Sequence, residues 1–357
     1  MEAISFAADS LGPELVPREE LADCARKVLE RDGRTILSYG SGAGYTPLRE
    51  LIGGWFGVHP SRVVLTNGSL HGLALLAQRV APGRNVVAEY PIYDRAEKVL
   101  LAAGASLLGT PIDEEGMGAD DLHNMLSQYA TPAIIYTIPS FHNPTGWTLS
   151  MPRRRRLLEL VEGQGLVQIQ DMLLFEDDAY ALTRFEGEGE PALFDLSGKR
   201  TLYSSSFSTT IAPGLRVGWF VLPEPIANEL GEAASGTYIT PALLSQAIVY
   251  EFISRGSFEP HLARLREALK LRRDAMLAAL EKHLSGATWS RPEGGYFIWL
   301  ELPGYPDGRA VLERAQGVTA VPGTAFSAMS SFLRLSYSFA SPDEIEVGVE
   351  RLAAALE

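Results

Sequence analysis

The chain has 357 residues, with 31 Lys+Arg against 44 Asp+Glu and a formal net charge of -13. Its 46% hydrophobic and 21% charged content is an ordinary globular balance, which excludes a disordered chain, and the negative charge argues against a nucleic-acid partner. The one cysteine, Cys24, excludes an intrachain disulfide, Met1 to Phe6 lacks a basic segment followed by an apolar run, and no apolar stretch reaches the roughly 18 residues of a membrane span, so a soluble cytoplasmic protein is expected.

In chain order, strand-like apolar runs alternate with amphipathic helical stretches. Arg62 to Thr66 reads as a strand and Ser69 to Val80 as a helix; Asn85 to Glu89 is strand-like and Arg95 to Ala103 helical. Ala133 to Thr137 reads as a buried strand. Pro152 to Val161 reads as a helix with proline in its first turn, and the basic run Arg153 to Arg156 is expected at its start, facing solvent. Leu173 to Phe175 and Thr201 to Ser204 follow as strands. This alternation implies crossover connections and a mainly parallel sheet. After Pro223 the pattern changes to long helices, through Arg255 and from Phe258 to Leu284. Short strands at Tyr296 to Glu301 and Leu333 to Ser336 and a last helix, Pro342 to Leu356, then suggest a smaller α+β unit.

Ligands of an open parallel sheet bind beyond the carboxyl ends of its strands. Several clusters fall at such ends. Gly68-Ser69 opens a helix after a strand, which suits a phosphate or merely an N-cap. Ser206, Ser208 and Arg216 offer hydroxyls and a guanidinium, or a serine-rich turn. Asp177 and Tyr180 could hold a heteroaromatic ring by its nitrogen and hydroxyl; the alternative is a turn of solvated acids, Glu176-Asp177-Asp178. Asn143-Pro144-Thr145-Gly146 is also a turn sequence. Arg334, between Leu333 and Leu335, needs an anionic partner, either a substrate carboxylate or a structural acid.

The order of these clusters resembles the fold-type-I, pyridoxal-phosphate (PLP) dependent aminotransferases. The subgroup is the one with 2-aminoadipate and aromatic aminotransferases and the aminotransferase-like domains of some bacterial regulators. The resemblance runs from Tyr39-Gly40 and Gly44 to Glu50 through to Leu333 to Ser336. Its most specific pieces are Pro139 to Gly146, Glu176 to Tyr180, Ala212 to Trp219 and Arg291 to Gly295. It implies an α/β fold, with a mainly parallel seven-stranded sheet in a large domain and a small α+β domain. The organisation expected is an N-terminal arm over 1–40, a cofactor-binding domain over 41–245 and a small domain over 246–357. It also implies PLP or pyridoxamine phosphate (PMP) as cofactor, an amino acid or 2-oxo acid as substrate, a homodimer and no metal; that the cofactor is held without a covalent bond is expected from the one departure described below.

By motif, the resemblance places Gly68, Ser69 and Leu70 around the cofactor phosphate with Ser206, Ser208 and Arg216. Tyr39 reaches the neighbouring subunit's phosphate and Tyr93 stacks on the ring. Asn143 and Tyr180 bond the ring oxygen, Asp177 pairs with the ring nitrogen, and Arg334 grips the substrate α-carboxylate. One departure matters most. Where the family reads Ser-Phe-Ser-Lys-Thr, this chain reads Ser206-Phe207-Ser208-Thr209-Thr210, so Thr209 stands at the position of the catalytic lysine. Threonine forms no Schiff base and is a poor base near neutral pH. The five lysines, Lys27, Lys98, Lys199, Lys270 and Lys282, fall away from the clusters, and His142 is the best-placed alternative base. Asp171 is a rival to Asp177, which the match through Tyr180 favours. Phe6 to Asp9 lacks a glycine usual in the family near the substrate. The expected function is an aminotransferase-like enzyme of non-standard mechanism; the alternatives are a non-catalytic PLP or ligand binder, or PLP-independent chemistry on the same fold.

Overall fold

The computed structural model describes residues 3–162, 172–197, 201–302, 304–305 and 307–356. Its main sheet follows the spatial order Val63–Thr66, Gly218–Val221, Thr201–Ser206, Leu173–Asp177, Ile134–Thr137, Asn85–Tyr90, Ser106–Asp113, Gly116–Met117. The five strands from Thr201–Ser206 to Ser106–Asp113 are mutually parallel, while Gly218–Val221 runs antiparallel to both its neighbours. The sheet is thus a seven-stranded, mainly parallel one, extended by the two-residue Gly116–Met117. Its central strands are covered on both faces; Thr201–Ser206 and Ile134–Thr137 are buried at every position.

Two strands absent from the sequence reading complete it. Ser106–Asp113 sits toward the edge with half its residues exposed in an uneven pattern, so it carries no continuous apolar run. Gly218–Val221 is a buried strand hidden inside a motif that reads as a ligand loop. The second sheet is antiparallel, in the order Thr288–Trp289, Phe297–Glu301, Phe332–Ser336, Val321–Pro322. The N-terminal residues Ile4–Ser5 pair in parallel with Val318–Thr319, which carries the start of the chain to this second sheet. The last helix, Pro342–Ala354, starts on a reciprocal cap: Ser341 Oγ accepts from Glu344 N–H at 3.3 Å, and Glu344 Oε2 accepts from Ser341 N–H at 2.7 Å. Among the described residues no helix is long and apolar enough to cross a membrane.

The basic run at Met151–Glu162 departs from expectation. Arg156 pairs with Glu159 on the surface, but Arg154 is 1% exposed. Its guanidinium donates to the carbonyls of Leu149 (2.9 Å), Pro139 (3.0 Å) and Pro191 (3.1 Å) and lies 3.9 Å from Glu176. One position of the run therefore points into the protein, because successive helical residues are about 100° apart and four of them cannot share a face. Arg154→Met should lower unfolding stability in urea by about 3–5 kcal/mol, since it leaves a buried acid and several carbonyls without their partner. A loss below about 1 kcal/mol would mean that these groups find other partners.

Candidate active site

The carboxyl ends of the parallel strands open into a cleft of about 220 Å³ lined by Asp9, Ser69, Leu70, Tyr93, Asn143, Asp177, Tyr180, Ser206, Ser208, Thr209 and Arg216, among others. Strand Val63–Thr66 turns into helix Ser69–Val80 through Gly68, whose φ of +95° favours glycine. The close approach matters as much: a Cβ on Gly68 would lie 2.2 Å from Arg216 Nη2. His71 and Gly72 are the first N–H groups to reach the Gly68 carbonyl. Those of Ser69 and Leu70 precede the first intrahelical bond and can serve an anion. Among the described residues Arg216 is held only by long bonds to the carbonyls of Pro213 (3.3 Å) and Asn67 (3.4 Å). The Ser206 hydroxyl donates to Ser208 Oγ at 2.9 Å and accepts from Ser208 N–H at 3.1 Å. Two hydroxyls, a guanidinium and a helix start thus meet in one cradle, the donor set a phosphate requires.

The three acids closing strand Leu173–Asp177 are all buried, so the alternative of a solvated turn is overturned. Alternation along the strand separates them. Glu176 accepts from the N–H groups of Leu193 (2.8 Å) and Phe194 (2.9 Å), and Asp178 accepts from the Tyr203 hydroxyl at 3.0 Å. Asp177 lines the cleft instead. Its Oδ2 accepts from Tyr136 OH at 2.7 Å, while its Oδ1 is buried without a hydrogen-bond partner among the described residues. Burial, aided by the nearby charge of Asp178 and opposed by the Tyr136 bond, pushes its carboxyl up to about 6. An orphaned carboxylate oxygen in a buried cleft calls for a cationic or N–H partner. The protonated ring nitrogen of PLP or PMP would supply one, so the residues present fit the group.

Arg334 is 3% exposed and donates to Asn143 Oδ1 at 2.9 Å and the Ala7 carbonyl at 3.2 Å. Asn143, itself buried in the cleft wall, therefore ties Arg334 to the other cleft residues. Tyr180 is fixed edge-on against Tyr296 and Phe297, with ring centroids 5.3 and 5.6 Å away. Thr209 is buried; its hydroxyl donates to the Ala179 carbonyl at 2.5 Å, and its carbonyl accepts from Tyr296 OH at 2.5 Å.

Two expected participants lie elsewhere. His142 does not line the cleft: its Nδ1 contacts Thr145 Oγ1 at 3.0 Å, its Nε2 lies 3.5 Å from Glu89, and burial lowers its pKa to about 3. The residue turns inward beside Asn143, which turns to Arg334, so adjacency in sequence did not bring it to the reacting region. Tyr39 is 79% exposed and stands apart from this chain's own cleft. The rival Asp171 and Lys199 lie outside the described residues. Lys27, Lys98, Lys270 and Lys282 pair with Asp23, Asp94, Glu186 and Glu346. Sequence reasoning missed Tyr136, which orients Asp177, and Asp9, which it noted only for want of a glycine. A larger open groove, about 720 Å³, runs past Arg184 and Lys270. Arg184 and Lys270 are already paired, with Glu293 (2.7 Å) and Glu186 (3.7 Å), Arg266 donates to the Leu182 carbonyl at 2.9 Å, and the expected residues gather in the smaller cleft, which is the candidate site.

Comparison with known proteins agrees with this geometry. The family model "aminotransferase class I and II" matches residues 14–352. The 2-aminoadipate transaminase of Thermus thermophilus is 36% identical over 365 residues, covering 99% of this chain and 90% of that protein. The aromatic-amino-acid aminotransferase 1 of Thermococcus litoralis is 33% identical over 375 residues, covering 100% and 88%. A crystal structure of the α-aminoadipate aminotransferase from Thermus thermophilus, complexed with N-(5'-phosphopyridoxyl)-L-leucine, superposes with a TM-score of 0.93 at 35% identity, covering 99% of this chain and 92% of that one. A 220 Å³ cleft at the carboxyl ends of a mainly parallel sheet, shared sequence from end to end and a shared fold lead to one conclusion: the chain belongs to the class I and II, fold-type-I PLP-dependent aminotransferase family.

Proposed function

We propose that the chain binds PLP or PMP without a covalent link and acts with it on an amino acid or 2-oxo acid. The observation that carries this reading is the unpartnered, buried Oδ1 of Asp177, in the same cleft as the cradle of Ser69, Leu70, Ser206, Ser208 and Arg216. When bound, the cofactor supplies an electron sink for charge developing at the substrate Cα. The cradle neutralises and positions the phosphate. Asp177 holds the proton on the ring nitrogen, with Tyr136 fixing the carboxylate. Tyr93 covers the ring, Tyr180 and Asn143 bond its oxygen, and Arg334 takes the substrate carboxylate. Thr209 supplies no amine, and its hydroxyl proton is committed to the Ala179 carbonyl. Proton transfer at the substrate therefore does not fall to Thr209.

That commitment of Thr209 also favours a second reading, a binder of PLP or its amino-acid adducts that does not turn over. Calorimetric titration with PLP and with PMP tests the shared premise; no binding of either form would sink both readings and promote PLP-independent chemistry. The homodimer remains part of the proposal. Leu37, Tyr39 and Ile239 are exposed at 68%, 79% and 51%, apolar surface that a partner subunit would cover. Light scattering at micromolar concentration should give twice the chain mass, and a monomer would remove Tyr39 from the cofactor site.

A further inference from the structure

Residues 7–10 form a strap, pinned at both ends, that brings Asp9 to the cleft. Phe6 is fully buried; its N–H donates to the Thr319 carbonyl at 2.7 Å, and its carbonyl accepts from Ser336 N–H at 2.8 Å. Beyond the strap, Leu11 is buried, Gly12 N–H donates to the Ser338 carbonyl at 3.0 Å, and the Ser338 hydroxyl donates to the Ser10 carbonyl at 2.8 Å. Between these pins Asp9 enters the cleft wall, and its Oδ1 lies 3.3 Å from Arg334 Nη1. The two partners are unequally held. The Arg334 guanidinium rests on the rings of Phe297 and Phe326, 4.2 and 5.0 Å from their centroids, and is bonded to Asn143 and Ala7. Its side chain is 4% exposed, against 23% for Asp9. The Asp9 oxygen is buried, and its contact with Arg334 is an ion pair but not an aligned hydrogen bond. A firmly held cation thus faces a more exposed, imperfectly bonded anion.

We propose that Asp9 is a specificity-determining residue of the Arg334 subsite, an internal counter-ion that makes it favour an amino-acid zwitterion over a 2-oxo acid or dicarboxylate. The proposal rests on the reading of Arg334 as the carboxylate seat. Arg334 alone would attract any carboxylate; with Asp9 beside it the seat is neutral overall. A lone carboxylate that takes Nη1 leaves the Asp9 anion without its cation, next to a second negative charge. A zwitterion brings the replacement cation with it, because its ammonium sits on the carbon next to its carboxylate. Asp9 then exchanges a guanidinium for an ammonium, and neither charge in the subsite is left alone.

The experiment measures binding of L-leucine, 4-methyl-2-oxopentanoate and 2-oxoglutarate to the full chain by ligand-observed NMR and calorimetry. Cofactor binding is read separately, by absorbance in the same samples. The natural chain should favour leucine over both 2-oxo acids. In Asp9→Asn the affinity ratio of leucine to 4-methyl-2-oxopentanoate should fall at least tenfold, chiefly because both 2-oxo acids bind more tightly. Asp9→Glu, which keeps the charge, should retain the natural preference and controls for damage to the strap. An unmoved ratio in Asp9→Asn overturns the proposal, as does a failure of every probe to bind both proteins. If the ratio shifts while neither PLP nor PMP binds, the subsite stands and the cofactor reading falls.

Discussion

Thr209→Lys should turn a cofactor that is removed by dialysis into one that is retained. In the natural chain every expected contact is noncovalent: a phosphate cradle, a ring-nitrogen carboxylate and ring-oxygen donors. Position 209 is 7% exposed yet lines the cleft, so a lysine there can extend toward the ligand once the threonine bond to Ala179 is given up. Borohydride treatment after incubation with PLP should then add one pyridoxyl phosphate group to the peptide containing residue 209, read by mass spectrometry, and add none in the natural chain. Regaining a positioned base is worth about 10²–10⁴-fold in rate. Transamination of amino acids that fit Arg334 should therefore rise by that order, followed with 2-oxoglutarate as acceptor. Brisk turnover by the natural chain, unchanged or reduced in Thr209→Lys, would show that another group already moves the proton. Retention of cofactor in Thr209→Lys with no turnover would instead support the non-catalytic reading.

The second large effect is expected from Asp177→Asn. A buried charge-assisted contact is worth about 1.5–3 kcal/mol, so PLP and PMP should bind roughly ten- to more than a hundredfold more weakly. The pH dependence separates this from a general loosening of the cleft. Burial, with help from Asp178, places the free Asp177 carboxyl at about 6. Pairing with a protonated ring nitrogen lowers that value in the complex, so binding below pH 6 must expel a proton. Affinity then falls about tenfold for each pH unit below 6, a one-proton linkage. The cofactor's own phosphate also titrates near pH 6, so the informative quantity is the difference between the two proteins. The Asp177→Asn profile should lack one proton of slope. Equal slopes at equal affinities would remove Asp177 from the cofactor's partners.

The sequence was informative wherever the physics is local. Helix Ser69–Val80 begins and ends where its apolar period begins and ends, and the last helix starts at Pro342, where its sequence pattern starts. The order of polar clusters after successive strands placed ten of the expected residues, from Ser69 to Arg216, around one cleft or, with Arg334, against its wall. Thr209 was legible as a departure because the residues on both sides keep their pattern. What the sequence could not supply were orientations. Glu176, Asp177 and Asp178 are chemically alike in a row, and only the strand's position in the sheet turns the middle one to the cleft. Arg154 looked like its three neighbours until helix Met151–Glu162 was set against the sheet. His142 and Asn143 diverge for the same reason, each following the pocket its side chain meets. Asp9 reaches Arg334 because Ile4–Ser5 pairs with Val318–Thr319, bringing together segments as far apart as 327 residues. Periodicity, caps and motifs are properties of about ten consecutive residues, whereas that encounter depends on how complete layers pack, and so only the tertiary structure decided it.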